Sequence, residues 1–110
     1  MKVLLINGSP HKKGCTYTAL HEVETTLQQN GIETEMLHLG KAPVSGCIAC
    51  MNCMTTGFCF QKDIVRDIQM RLDEFNGIVI GSPVYYSAPT GQLISFLNRL
   101  FFATEKRMAG

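Results

Sequence analysis

Apolar residues follow two rhythms along this chain. Val3-Leu4-Leu5-Ile6 is an unbroken apolar run, the pattern of a strand covered on both faces, and it predicts a first strand over Lys2 to Asn7. The period then lengthens. Ala19, Leu20, Val23 and Leu27 form a helical stripe, which predicts a helix from about Thr16 to Asn30 stopped by Gly31. Ile32, Met36 and Leu37 alternate imperfectly with Glu33, Thr34 and Glu35, so a second strand over Ile32 to Leu39 belongs at a sheet edge. Gly40 to Gln61 has no period and reads as a long loop. Asp63 then stands as an N-cap before Ile64, Ile68, Leu72 and Phe75, a second helix closed by Asn76-Gly77. Ile78-Val79-Ile80 is a short, wholly apolar strand, expected to be central. Gly81 to Pro89 is a loop, and Leu93, Phe96, Leu97, Leu100 and Phe101 mark a third helix from about Thr90 to Phe102.

Strand and helix alternate three times, the signature of a doubly wound α/β sheet in one domain over residues 1–110. A βα unit takes roughly 30 residues. Lys106 to Gly110 is polar and reads like a connection to another strand. The expectation is therefore the first part of a longer domain. Otherwise the bare edge of the third strand and the apolar face of the third helix are covered by another copy, which predicts a homo-oligomer.

Composition narrows the class. A hydrophobic fraction of 45% and a charged fraction of 17% describe a folded chain with a core. A formal net charge of +1 gives no case for nucleic acid or an anionic membrane as partner. The first apolar run is too short for a signal peptide and no stretch would span a bilayer, so a cytoplasmic protein is expected. Five cysteines without a leader argue for metal or redox use over a disulfide framework.

The first candidate site lies between the first strand and the first helix, in Gly8-Ser-Pro-His-Lys-Lys-Gly-Cys-Thr16. A helix N-terminus presents unpartnered N–H groups and partial positive charge, which suits an anion. Ser9 and Thr16 add hydroxyl donors. Five residues separate Gly8 from Gly14, and Cys15 stands where the Walker pattern requires lysine, so a nucleoside triphosphate loop is excluded. Hydroxyls without an obligatory lysine suit a single phosphate monoester such as that of FMN. An ordinary strand-to-helix turn would carry the same residues.

The second site is Cys47-Ile-Ala-Cys50-Met-Asn-Cys53, then Cys59 after five intervening residues. Two-residue gaps let three thiolates converge, and a fourth completes a set suited to a [4Fe–4S] cluster or zinc. The spacing chooses neither metal, and a loop of free thiols also fits. The third is Gly81-Ser-Pro-Val-Tyr-Tyr86, where Tyr85 and Tyr86 can lie against a flat ring or pack on a neighbouring subunit.

Taken together, Gly8-Ser9-Pro10 through Gly14-Cys15-Thr16, the Cys47 to Cys59 segment, Gly81 to Tyr86, Gly91 and Phe96-Leu97-Asn98-Arg99 resemble the flavodoxin-like NAD(P)H-dependent FMN reductases, in particular their iron–sulfur flavoprotein branch. The resemblance implies a flavodoxin-like sheet with strand order 2-1-3 in this chain and FMN at the switch point between strands one and three. It implies that Ser9, His11, Cys15, Thr16 and Tyr17 contact the phosphate side, and that Pro83, Val84, Tyr85, Tyr86 and Ser87 border the isoalloxazine. It favours an iron–sulfur cluster over zinc at Cys47, Cys50, Cys53 and Cys59. Cys15 and Asn98 replace residues that are often Asn and Asp in the family. The expected function is an oxidoreductase taking electrons from NAD(P)H through FMN to an acceptor. The alternative is a non-enzymatic electron carrier, against which the near-neutral charge counts.

Overall fold

The computed structural model describes the backbone of residues 1–108 and the side chains of residues 1–104. Three parallel strands, β1 (Lys2–Asn7), β2 (Glu33–His38) and β3 (Gly77–Gly81), form one sheet in the order β2-β1-β3. The register sets Asn7 of β1 level with His38 of β2 and Gly81 of β3. All three strands therefore release their following loops at the same end of the sheet.

The unbroken apolar run explains why β1 is central. Leu4 and Ile6 face one side and pack with Val65, Ile68, Leu93, Phe96 and Leu100. Val3 and Leu5 face the other and pack with Leu20. Leu4, Leu5 and Ile6 are each 0% exposed, worth about 1.5–3 kcal/mol apiece relative to exposure. Helix α1 (Cys15–Gln29) covers one face; α3 (Ile64–Met70) and α4 (Gly91–Met108) cover the other. This is the doubly wound, flavodoxin-like α/β arrangement with strand order 2-1-3.

Several boundaries differ from the sequence expectation. The loop after β2 contains a short helix, α2 (Asn52–Thr56), between the left-handed residues Met51 and Gly57. The second expected helix breaks after Met70 and continues as a 3-10 turn over Leu72–Glu74. That break lets the chain reverse so that the Asn76 N–H reaches the Lys2 carbonyl at 2.7 Å and β3 begins. On α1 only Leu20 and Leu27 of the expected stripe face the sheet; Ala19 and Val23 point outward. The last helix does not end near Phe102, because residues 103–108 contain no breaker and Ala103 and Thr104 are buried. Lys106 to Met108 are thus helical, while Ala109 and Gly110 of the expected connection lie outside the described residues.

The third strand is not central among the described strands. Its outer side is an edge, with Ile80 41% exposed. A groove of about 630 Å³ runs there between Phe75, Ile78, Ile80 and Phe101.

Candidate functional site

The turn after β1 is held by one main-chain bond and by the buried side chains of Asn7, Ser9 and Thr90. The Gly8 N–H donates to the Gly81 carbonyl at 2.8 Å, so the turns after β1 and β3 are tied side by side. The Gly8 carbonyl accepts from the buried Thr90 hydroxyl at 2.7 Å. No side chain fits at position 8: a Cβ there would lie 2.8 Å from Leu93 Cδ2 and 3.0 Å from Leu93 Cβ. The buried Asn7 amide oxygen accepts from the Ser9 N–H at 2.9 Å, and Ser9 Oγ accepts from the His11 N–H at 3.1 Å. These bonds curl the chain into the helix start.

Helix α1 then begins without a cap. Gly14 stands at the N-cap and makes no side-chain hydrogen bond, and the first turn carries no acidic residue. The first-turn N–H groups of Cys15, Thr16 and Tyr17 have no partner within the helix. Such a terminus combines donors with the positive end of the helix dipole, and it fits a phosphate monoester. Tyr17 stacks on His21 with centroids 5.6 Å apart, which fixes the ring one turn into the helix. His11 and Cys15 are exposed at the rim.

Across the turn from β3, Ser82 Oγ accepts from the Thr90 N–H at 3.1 Å and donates to the Pro83 carbonyl at 2.8 Å. Tyr85 and Ala88 exchange backbone bonds of 2.8 and 3.2 Å around Tyr86 and Ser87. Both of those residues have positive φ, 50° and 62°. Two adjacent non-glycine residues in the left-handed region cost roughly 1–2 kcal/mol each, and strain of this kind collects at ligand-facing turns. The result is a projecting platform: Val84 is 74% exposed and the Tyr86 side chain is fully exposed. Pro83 to Ser87 and the segment carrying Thr16 and Tyr17 follow strands that end at the same side of the sheet, while Ser9 is buried with its N–H bonded to Asn7. An FMN with its phosphate at the helix start and its ring against the platform fits this chemistry.

The four cysteines of the segment after β2 gather around one enclosure of about 20 Å³, room for about one water. Burial pushes the Cys53 thiol above its ordinary value, and the neighbouring Cys47, Cys50 and Cys59 push it the same way. Four soft sulfur donors on one segment are the chemical set that a four-thiolate metal centre takes. Among the described residues, no three ligating side chains are arranged to hold a metal ion.

Five residues of this region escaped the sequence reading. Asn7 and Thr90 shape the first turn. His38, on the edge strand β2, is partly buried and its Nε2 bonds the Ser9 carbonyl at 2.9 Å. Gln69 and Arg99 are 0% and 1% exposed and hold the cysteine segment. Burial desolvates Arg99 and opposes its charge, but its bonds to Asp63 and Cys59 outweigh that and raise its pKa. The only available signal was positional: Thr90 immediately precedes a helix, and Arg99 lies three residues after Phe96 on the apolar side of α4.

Strand order and helix placement define a flavodoxin-like α/β protein with a glycine turn and an uncapped helix start after its first strand. The profile of the NADPH-dependent FMN reductase family matches residues 1–110, and the chain belongs to that family. It is 36% identical over 90% of its length to an iron-sulfur flavoprotein of Methanocaldococcus jannaschii, covering 51% of that protein. An iron-sulfur flavoprotein of Archaeoglobus fulgidus is 31% identical, with 91% of this chain and 46% of the relative covered. One of Clostridioides difficile is 31% identical, with 96% and 48% covered. The chain spans about half the length of these curated relatives. Among the described residues no helix is long and apolar enough to cross a membrane.

Proposed function

We propose that residues 1–110 are the FMN-holding part of an oxidoreductase that takes electrons from NAD(P)H and delivers them to an acceptor. The observation that carries this reading is the uncapped start of α1, set directly beside the strained turn after β3 by the Gly8–Gly81 and Thr90–Gly8 bonds. FMN, when bound, supplies hydride acceptance from a nicotinamide and onward transfer of electrons. The chain's own residues bind and orient. Ser9, His11, Cys15, Thr16 and Tyr17 hold the phosphate through N–H and hydroxyl groups. Pro83 to Ser87 border the ring, with Tyr85 and Tyr86 excluding water from its flank. No general acid or base is needed from this chain, since hydride transfer moves no proton to a side chain.

Cys47, Cys50, Cys53 and Cys59 are, on the same reading, ligands of an iron–sulfur cluster through which electrons leave. The gathering of all four thiols around one enclosure supports this second element. The open side of β3, with Ile80 and Phe101 exposed, supports association with further protein, including a second copy. A cytoplasmic setting agrees with reduced cysteines.

Titration of the purified chain with FMN tests the reading. Saturable quenching of flavin fluorescence, lost on substitution of the phosphate turn, is expected. Unquenched fluorescence at millimolar chain concentration would show that these residues do not hold the flavin by themselves. NADPH and NADH consumption by the loaded protein then separates a reductase from a carrier.

A further inference from the structure

Cys59 is held differently from the other three cysteines. Its N–H donates to Gln69 Oε1 at 2.9 Å, and its sulfur accepts from Arg99 Nε at 3.4 Å and Nη2 at 3.5 Å. These two polar side chains come from different helices, α3 and α4. Both are almost completely withdrawn from solvent. The same guanidinium donates to the Ser45 carbonyl at 3.0 Å, to the Gln61 carbonyl at 3.4 Å and to both carboxylate oxygens of Asp63 at 2.6 and 2.8 Å. Cys47 and Cys50 are exposed by contrast. Their stretch includes the left-handed residues Ala49 and Met51, and its sulfur contact is a 3.4 Å bond from the Ala49 N–H to Cys47.

A buried guanidinium costs several kcal/mol to desolvate, and an apolar residue would pack α4 against the sheet as well or better. Asp63 neutralises the charge but leaves donors over. Two of those face sulfur. A neutral thiol is a weak acceptor, so this is a poor use of a buried N–H unless the sulfur carries negative charge. Metal-bound thiolate does. A hydrogen bond to sulfur and a nearby cation both stabilise added electrons on an iron–sulfur centre and raise its reduction potential.

We propose that Arg99 and Gln69 are positioning residues for the cysteine centre: together they make Cys59 its one fixed corner, and Arg99 sets its electron affinity. The inference rests on the reading of the four cysteines as cluster ligands. Cys47, Cys50 and Cys53 then close onto Cys59 from a loop that can yield, so assembly depends on the two buried side chains that keep Cys59 still.

The test uses the wild-type chain with Arg99→Met, Arg99→Lys and Gln69→Leu, each reconstituted anaerobically with ferrous iron and sulfide. Iron and sulfide per chain, circular dichroism and the midpoint potential are measured. Wild type is expected to bind iron and sulfide in equal amounts. Arg99→Met is expected to fold and to carry a centre of lower potential, with Arg99→Lys recovering part of the shift by restoring charge without the fork. Gln69→Leu is expected to lower iron content at limiting iron and to move the potential less, because it touches backbone and not sulfur. A folded Arg99→Met protein with full iron at the wild-type potential would overturn the proposal and leave the cluster reading standing. If Arg99→Met does not fold, Arg99→Lys decides. A folded lysine variant with lowered potential or iron content supports the role, whereas wild-type behaviour or failure to fold assigns Arg99 to packing alone. A wild-type chain that binds no iron removes the cluster reading and the tuning role with it. Amide exchange then still reads the fixed corner: Cys59 N–H protection in the metal-free chain that is lost in Gln69→Leu supports it, and no protection overturns it.

Discussion

The turn after β1 and the segment after β2 leave the same end of the sheet, yet different forces hold them. The first is short and fastened close to its own ends, by the Gly8–Gly81 main-chain bond, the Asn7 side chain on the Ser9 N–H and the Thr90 hydroxyl on the Gly8 carbonyl. The second runs from Gly40 to Gln61 and is fastened by side chains reaching out of the helices. Arg99 takes Ser45 and Gln61, Gln92 takes the Gly40 carbonyl at 3.1 Å, and Gln69 takes Cys59. A short turn tied at its ends tolerates change at its exposed positions, but neither added volume at Gly8 nor loss of the Asn7 or Thr90 side chain. A segment hung on a few buried anchors tolerates change within itself and fails when an anchor is lost.

The strongest way to break the contrast is Asp63→Ala. It leaves the Arg99 guanidinium, 1% exposed, without its carboxylate. Breaking a fully buried pair from one side costs about 3–5 kcal/mol; the Asp63 side chain is 34% exposed, so solvent screening brings the cost to the low end of that range. The same change removes the N-cap of α3, where the Asp63 carboxylate accepts from the Val65 N–H at 3.1 Å, for about 1 kcal/mol more. Urea unfolding should show a midpoint shifted to much lower concentration, with proteolysis of the cysteine segment preceding that of the phosphate turn. Asp63→Asn keeps the cap and isolates the lost charge, so it should fall between the two. An unchanged midpoint in both variants would mean that Arg99 finds its stability elsewhere.

Next in size is Thr90→Val, which probes the other region. The shape is kept, but the buried Gly8 carbonyl loses its 2.7 Å donor. Leaving a buried acceptor unpaired costs about 1–3 kcal/mol. The two turns also lose the bond that sets their spacing, so flavin affinity should drop along with the unfolding midpoint. Full retention of both would show that Gly8–Gly81 alone suffices.

Gly14→Asp sharpens the comparison because stability and binding should move in opposite directions. Gly14 has φ −94° and an added Cβ meets only His11 Cβ at 3.5 Å, so a side chain fits. Aspartate would cap α1 and add a few tenths of a kcal/mol of stability. It would also occupy the anion site with a negative charge. FMN affinity should fall by at least about tenfold, or ~1.4 kcal/mol, in a chain that melts no lower than wild type. Undiminished FMN affinity would move the phosphate away from the helix start.

The difference in construction also explains what could be read in advance. Periodicity reports apolar faces and so yields the three strands and the Asp63 cap; the strand order comes from the family resemblance, and the apolar run of β3, read as central, lies at an edge. Periodicity also marks the turn proposed to hold the phosphate, because that turn is a matter of where a strand stops and a helix starts. It is silent on buried polar anchors. Arg99 sits among Phe96, Leu97 and Leu100 and looks like the polar side of an amphipathic helix until the cysteine segment is seen folded over it. Gln69 and His38 are hidden for the same reason: each binds a main-chain group more than nine residues away in sequence, which no local pattern encodes.

The smallest expected effect is a pH dependence that differs between the regions. Burial works against the Asp63 carboxylate, but the Arg99 bonds and charge, with the Val65 and Arg66 N–H groups, outweigh it and hold the pKa below the usual range. Glu35 is lowered first by its bond to Arg71, and Glu74 likewise. A carboxylate whose pKa is depressed by folding stabilises the native state above its unfolded value, near pH 4. That stability drains as pH falls through the folded value. Wild type should therefore hold its melting temperature down to about pH 4 and lose it progressively below. In Asp63→Asn the slope below pH 4 should be shallower, and in Glu35→Gln shallower by less, because that pair lies at the surface, where solvent screens it. No histidine or thiol is required for this profile, so the phosphate turn should keep its amide protection after the Asp63 anchor has begun to release the cysteine segment. Simultaneous loss of protection in both regions would show that the anchor supports the whole sheet end and not one loop of it.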